Sequence, residues 1–75
     1  MSRTVVYTRQ RCHLCDDALA VVRSVVGDDL EAIDVDTDPA LVSRYGEEVP
    51  AVLVDGRQIA YWRISADRLR AALES

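Results

Sequence analysis

The chain has 75 residues and a net charge of −4 at neutral pH, and its composition is 49% hydrophobic and 29% charged. This length predicts a single domain, residues 1–75, with a small core, because short chains bury a smaller fraction of their surface. A protein that binds the nucleic-acid backbone normally carries an excess or a stripe of basic side chains. The nine basic residues are scattered among the acids, so we expect no nucleic-acid partner.

Nothing in the sequence points to a membrane. No apolar run approaches the length that crosses a bilayer, and the opening MSRTVVY is too short and too polar for a signal peptide. We therefore expect a cytoplasmic protein with no membrane partner. In that reducing compartment, closely spaced cysteines are more often catalytic or metal-binding than permanently joined.

The first half of the chain predicts strand, helix, strand. Thr4–Thr8 is β-branched and aromatic, and it is apolar at Val5–Tyr7, as in a strand that is covered on both faces. From about Cys12, apolar residues recur at helical spacing, and Gly27 supplies a stop. The segment LEAIDVD then predicts a second strand with partial alternation.

The second half predicts a helix, a hairpin and a last helix. TDPALVSRYG is typical of a short helix with Asp38 as cap, Pro39 at the first helical position and Gly46 at the end. VPAVLV and RQIAYW flank Asp55–Gly56, which predicts a hairpin with a type I′ turn. ISADRLRAALES predicts a helix with Ser65 as its N-cap.

These elements predict an α/β fold in the order β-α-β-α-β-β-α. The first two strands should run parallel with a right-handed crossover, and the hairpin strands should run antiparallel. A mixed four-stranded sheet flanked by three helices is the simplest way to bury the apolar faces.

The two cysteines, Cys12 and Cys15, lie in the stretch RQRCHLC, where the first strand gives way to the first helix. Free amides and the positive end of the dipole at a helix start stabilise an anion, so a Cys12 thiolate is favoured there. Cys15, three residues on, lies on the same face and can close a disulfide onto Cys12. The pattern predicts that Cys12 attacks a substrate disulfide and that Cys15 resolves the mixed disulfide.

The charges beside Cys12 act in both directions. Arg9, Arg11 and a protonated His13 favour the thiolate, whereas Asp16–Asp17 oppose it. Each exposed charge contributes roughly 1 kcal/mol or less after screening, so we expect a net lowering of the Cys12 pKa. His13 is interpreted either as a residue that tunes Cys12 or as a solvated loop residue.

Two other interpretations of the cysteines stay open at this point. Cys12 and Cys15 can be two small buried hydrophobic residues without chemistry. They can also belong to a metal site, but zinc needs about four ligands. The chain offers His13 as its single histidine and no third cysteine, so we expect no metal site unless two chains share it.

Together, RQRCHLC at the head of the first helix and EEVPAVLVDG before the hairpin resemble the glutaredoxin branch of the thioredoxin fold, over nearly the whole chain. The resemblance implies a monomeric dithiol–disulfide oxidoreductase that binds no organic cofactor. Its substrates would be disulfide-containing proteins or low-molecular-weight disulfides. Glutathione, another low-molecular-weight thiol or a reductase would supply electrons. The alternative function is a binding module whose cysteines bridge an iron–sulfur cluster or zinc between two chains.

The family pattern also implies roles for residues outside the cysteine pair. Val49–Pro50 would form a cis bond facing Cys12, and the Val49 backbone would pair with the substrate. Without the family, a trans proline at the start of an edge strand is the alternative. Arg9, three residues before Cys12, would contact a glutathione carboxylate; the alternative is a solvated loop arginine.

The segment AYWRISADRL departs from the glutaredoxin pattern. Glutaredoxins usually have a Gly-Gly turn followed by an acidic pair that holds the γ-glutamyl end of glutathione, and this segment lacks the Gly-Gly. Asp67 is either a remnant of the acidic contact or part of the helix start at Ser65. The segment from Tyr61 to Leu69 more closely resembles a small glutaredoxin-like family. It also loosely resembles redoxins that serve ribonucleotide reductase and take electrons from thioredoxin reductase. We interpret Trp62 and Arg63 as a partner-docking surface; the alternative is that Trp62 packs on the last helix.

Overall fold

The computed structural model describes residues 3–74, in which the chain forms the predicted order β-α-β-α-β-β-α around a four-stranded sheet. The strands are β1 (Thr4–Thr8), β2 (Glu31–Asp34), β3 (Ala51–Val54) and β4 (Arg57–Tyr61), and the helices are α1 (His13–Val26), α2 (Pro39–Tyr45) and α3 (Ala66–Glu74). In the sheet order β2-β1-β3-β4, β1 is parallel to β2, and the other neighbouring pairs are antiparallel. The predicted fold class is confirmed.

The central strand β1 contributes to a separate apolar cluster on each face of the sheet. Val5 packs with the buried Tyr45 of α2 on one face. Val6 packs on the other face with Val22 of α1 and Leu69 of α3, all three without solvent exposure. Two covered faces explain why β1 is a continuous apolar run instead of an alternating one.

The second strand is shorter than predicted. It ends at Asp34, and Val35–Thr37 forms one turn of 3₁₀ helix instead of continuing the strand to Asp36. The Asp34 carboxylate accepts the N–H of Asp36 at 2.9 Å, and the Thr37 hydroxyl donates to the Asp34 carbonyl at 2.7 Å. Such local side-chain bonds compete with a strand ladder, so the chain turns here.

The predicted hairpin is confirmed, with a correction at its end. Asp55 has a φ of 52° and Gly56 a φ of 83°, and a type I′ turn requires positive values at both positions. The strand β4 ends at Tyr61, one residue earlier than predicted, because Trp62 has a φ of 66° and leaves the extended conformation. This places Trp62 in the connection to α3.

The predicted helix caps are confirmed by hydrogen bonds. The Asp38 carboxylate accepts the N–H of Ala40 at 2.9 Å, which begins α2. The Ser65 hydroxyl accepts the N–H of Arg68 at 3.1 Å, which begins α3. The predicted last helix included Ser75, which lies outside the described residues. None of the helices within residues 3–74 is long and apolar enough to cross a membrane.

Candidate active site

Cys12 is the N-cap of α1 and provides a hydrogen-bond acceptor to it. Its backbone is extended (φ −113°, ψ 104°), and its Sγ accepts the N–H of Cys15 at 3.1 Å. Its carbonyl accepts the N–H of Asp16 at 3.2 Å, the first backbone bond of the helix. The sulfur therefore occupies the position where helix amides and the helix dipole stabilise negative charge.

Cys12 and Cys15 are joined in a disulfide, with their Cα atoms 5.2 Å apart. Cys15 is only 2% exposed, whereas Cys12 is half-buried. An incoming group therefore reaches the sulfur of Cys12 and not that of Cys15. The burial of Cys15 was not predicted, but its spacing to Ala18 and Val22, the other two buried residues of α1, carries that signal.

Val49 and Pro50 lie at the same end of the sheet as Cys12. Tyr7, near the end of β1, pairs with Ala51 at the start of β3, so the residues that follow β1 and precede β3 meet there. The Val49–Pro50 bond is cis, as the family resemblance implied, and Pro50 is buried. Within residues 3–74, the Val49 backbone makes no hydrogen bond, so its N–H and carbonyl are free to pair.

The guanidinium of Arg9 is hydrogen-bonded to other residues of this chain. It donates to both carboxylate oxygens of Asp36 at 2.9–3.2 Å and to the carbonyl of Gly46 at 3.2 Å. The hydrogen bonds to Asp36, followed by the charge of Asp36, raise the Arg9 pKa above its ordinary value. Arg9 is therefore not a freely solvated loop residue, and a glutathione carboxylate would have to share it with Asp36. Its predicted glutathione contact stays a prediction.

Tyr61 and Trp62 form an exposed aromatic pair beside Pro50. They are 54% and 52% exposed, and their rings meet edge to face with centroids 5.0 Å apart. The Trp62 backbone N–H donates to the Pro50 carbonyl at 2.8 Å, and its indole N–H donates to the Glu47 carbonyl at 2.9 Å. The indole is thus fastened to the loop between α2 and β3 and not to the last helix.

The remaining predicted site residues are exposed. His13 is the first residue of α1 and lies between the cysteines, and Arg63 follows Trp62 in the connection to α3. Sequence reasoning missed Asp36 and the carbonyl of Glu47 as the anchors of Arg9 and Trp62. Asp36 gave no signal because it stood inside a predicted strand, and a backbone carbonyl carries no sequence signature. Within residues 3–74, no group of three or more His, Cys, Asp or Glu is arranged to hold a metal ion.

Comparison with known proteins agrees with this arrangement. A sequence model of the family described as Glutaredoxin-like domain (DUF836) matches residues 3–74. The chain belongs to the glutaredoxin-like domain family. A Mycobacterium tuberculosis protein, described as an uncharacterized protein, is 40% identical over 81 residues, which cover 95% of this chain and 84% of the relative.

Solved structures of similar proteins share this thioredoxin-like fold. The X-ray structure of XcR50 from X. campestris has a TM-score of 0.82 at 36% identity and covers 95% of both chains. The solution structure of Ne2328 from Nitrosomonas europaea has a TM-score of 0.81 at 26% identity, over 95% of this chain and 89% of that one. Oxidized glutaredoxin 2 from Chlamydomonas reinhardtii, at 18% identity, a TM-score of 0.64 and coverages of 97% and 72%, shows the fold alone.

Proposed function

We propose that this glutaredoxin-like domain is a thiol–disulfide oxidoreductase that acts through Cys12 and Cys15. The observation that carries the proposal is the asymmetry of the pair. Cys12 is accessible and caps α1, whereas Cys15 is buried and yet close enough to form the disulfide. A nucleophile needs access and a stabilised thiolate, and a resolving cysteine needs only to reach the first sulfur.

The proposed reaction has two exchanges. The Cys12 thiolate attacks one sulfur of a substrate disulfide, which forms a mixed disulfide and releases the other substrate sulfur as a thiolate. The Cys15 thiolate then attacks the Cys12 sulfur, which releases the second substrate thiolate and leaves the Cys12–Cys15 disulfide. Two electrons pass to the substrate, whose two thiolates take up protons. The proposal is supported by the Cys12–Cys15 disulfide, which is the bond that the second exchange would form.

The cycle closes when a thiol donor reduces the Cys12–Cys15 disulfide. Two molecules of a low-molecular-weight thiol, or one dithiol reductase, supply the two electrons and are themselves oxidised to a disulfide. In the proposed substrate complex, the free N–H and carbonyl of Val49 pair with an extended segment beside the reacting sulfur. The buried Pro50 shapes the floor below that segment.

Trapping of the mixed disulfide tests the proposal. The Cys15→Ser variant should accumulate a covalent adduct with a peptide disulfide, because the second exchange is removed. Mass spectrometry should map the adduct to Cys12. The matched Cys12→Ser variant should form none, since its remaining thiol is buried. An adduct on Cys15, or no adduct in either variant, would contradict the proposal. If the purified protein instead shows a visible absorption band and stoichiometric iron, the cluster-binding alternative is favoured.

A further inference from the structure

Trp62 has a backbone conformation that does not suit its side chain. Its φ of 66° lies in the left-handed region, where a bulky residue is an outlier and glycine or asparagine is usual. Burial does not account for the choice, because half of the side chain is exposed. Unfavourable backbone conformations that persist in this way cluster at functional sites.

The indole is also held in one place. Its N–H donates to the Glu47 carbonyl at 2.9 Å, and the backbone N–H of the same residue donates to the Pro50 carbonyl at 2.8 Å. The edge-to-face contact with Tyr61 adds a third restraint. An exposed aromatic ring that is fixed before binding offers contact area at little cost in conformational entropy.

Trp62 lines two hollows of different size. The larger has a volume of about 800 Å³, is open, and is lined by charged residues that include Arg9 and Glu47. The smaller has a volume of about 90 Å³; Leu14, Val21 and Ile64 give it an apolar part, and Asp17 and Arg63 add charged groups to its lining. Sites for whole small molecules measure about 300–1,000 Å³, so the smaller hollow fits a single apolar side chain.

The smaller hollow lies next to the first turn of α1, since Leu14, one of its lining residues, follows Cys12 by two positions. One wall is α1, for which Cys12 is the N-cap. Trp62, on the other side, donates its backbone N–H to the carbonyl of Pro50, which follows the unpaired backbone of Val49. A polypeptide that pairs with Val49 in an extended conformation projects alternate side chains to opposite sides. A side chain next to the reacting cysteine can therefore enter the smaller hollow, whereas a small disulfide has none to offer.

We propose that Trp62 is a specificity-determining residue, and that the hollow beside it receives an apolar side chain flanking the reactive cysteine of an extended polypeptide disulfide. This inference rests on the proposed oxidoreductase function and names its substrate class. The partner is a protein segment with an aliphatic residue beside its cysteine.

Two synthetic peptides of equal length, each closed by one disulfide, test the inference. They differ at one residue next to a cysteine, which is Leu in one peptide and Ser in the other. We expect the protein to reduce the Leu peptide with a kcat/KM about tenfold higher, the discrimination typical of one buried aliphatic side chain. Trp62→Ala should lower this ratio to about two. Arg57→Ala, an exposed change at the far end of β4, is the control and should keep it.

Two further measurements separate selection from a structural role. Trp62→Phe loses the bond to Glu47 but keeps an aromatic ring at the edge of the hollow. Since the contact area of the ring is what selects the side chain, this variant should retain most of the preference. The rate of Cys12 alkylation should be the same in Trp62→Ala and in the unmodified protein. Loss of the preference in Trp62→Phe, or slower alkylation in Trp62→Ala, would assign the indole a structural role and overturn the proposal.

The failure of the inference and that of the proposed function have different signatures. If the unmodified protein reduces both peptides at equal rates, the oxidoreductase function stands and the role of Trp62 is wrong. A preference that survives unchanged in Trp62→Ala overturns the role in the same way. If neither peptide is reduced, the proposed function fails, and the substrate class fails with it.

Discussion

Two neighbouring segments at one end of the sheet each contain a candidate site residue, Cys12 or Trp62, and these two residues differ in how well they suit their own backbone. In the turn before α1, the sulfur of Cys12 caps the helix, so the requirement of the helix and the proposed chemistry agree. After β4, Trp62 occupies a left-handed position with half of its side chain in solvent, so local preference and residue type disagree. Cys12 suits its backbone without invoking function, although Arg11 just before it is also left-handed with a φ of 59°. The choice of Trp62 at its position is best explained by a function.

The largest expected effect comes from a substitution of Cys12 that removes the thiol but keeps a helix cap. Cys12→Ser should lower disulfide turnover by roughly 100-fold or more, because a hydroxyl does not form a thiolate nucleophile. The helix should still form, since serine is a preferred N-cap. Disulfide turnover and thermal unfolding of the variant and the parent check both expectations. The parent is kept reduced, so that its disulfide does not enter the comparison. If turnover stays within a few-fold of the parent value, Cys12 caps the helix but is not the nucleophile, and the account of this segment is wrong.

The second prediction isolates the backbone strain at Trp62. Trp62→Gly and Trp62→Ala both remove the indole, but glycine accepts a positive φ freely. We expect the glycine variant to be more stable by about 1 kcal/mol in denaturant unfolding. At Ala20, an exposed position inside α1, the sign should reverse, because Ala20→Gly costs about 1 kcal/mol. An alanine variant at position 62 as stable as the glycine variant would remove the contrast between the two segments.

A third prediction measures the cap itself. In the reduced protein, Cys12→Ala should be less stable than Cys12→Ser by about 1 kcal/mol, because alanine offers no acceptor to the N–H of Cys15. Denaturant unfolding with excess reductant measures the difference. Equal stability would show that a side-chain acceptor at this position contributes nothing to the helix start.

The smallest expected effect concerns the charge of Arg9. Asp36→Asn removes the carboxylate that now engages this guanidinium, so turnover supported by glutathione should rise about threefold at low salt. The matched double variant, which adds Arg9→Gln, should lose the gain. An equal rise in both variants would show that the Arg9 charge is not responsible.

The elements could be predicted from the sequence because their signals are local. The apolar run of β1, the caps at Asp38 and Ser65 and the Asp55–Gly56 turn each depend on neighbouring residues. The end of β2 could not be predicted, because the alternation of Ile33 and Val35 continues past the point where Asp34 turns the chain.

In the candidate site, too, the features set by neighbouring residues could be predicted, whereas contacts between distant residues could not. The placement of Cys12 follows from the strand-to-helix turn that contains it. The partners of Arg9 and Trp62 lie 27 and 15 residues away in the chain, and no pattern in the sequence connects them. The left-handed backbone of Trp62 was also hidden, since tryptophan is typical of strands and the hairpin pattern runs through it.

The measurement that tests the central claim most directly is the alkylation rate of the reduced protein as a function of pH, with the modified cysteine mapped. Cys12 should react alone, with an apparent pKa below the free-thiol value of about 8.5, because it lies at the start of α1. Cys15 should stay unmodified, because it is buried. Reaction of both cysteines at similar rates, or a Cys12 pKa at or above the free value, would contradict the assignment of Cys12 as nucleophile.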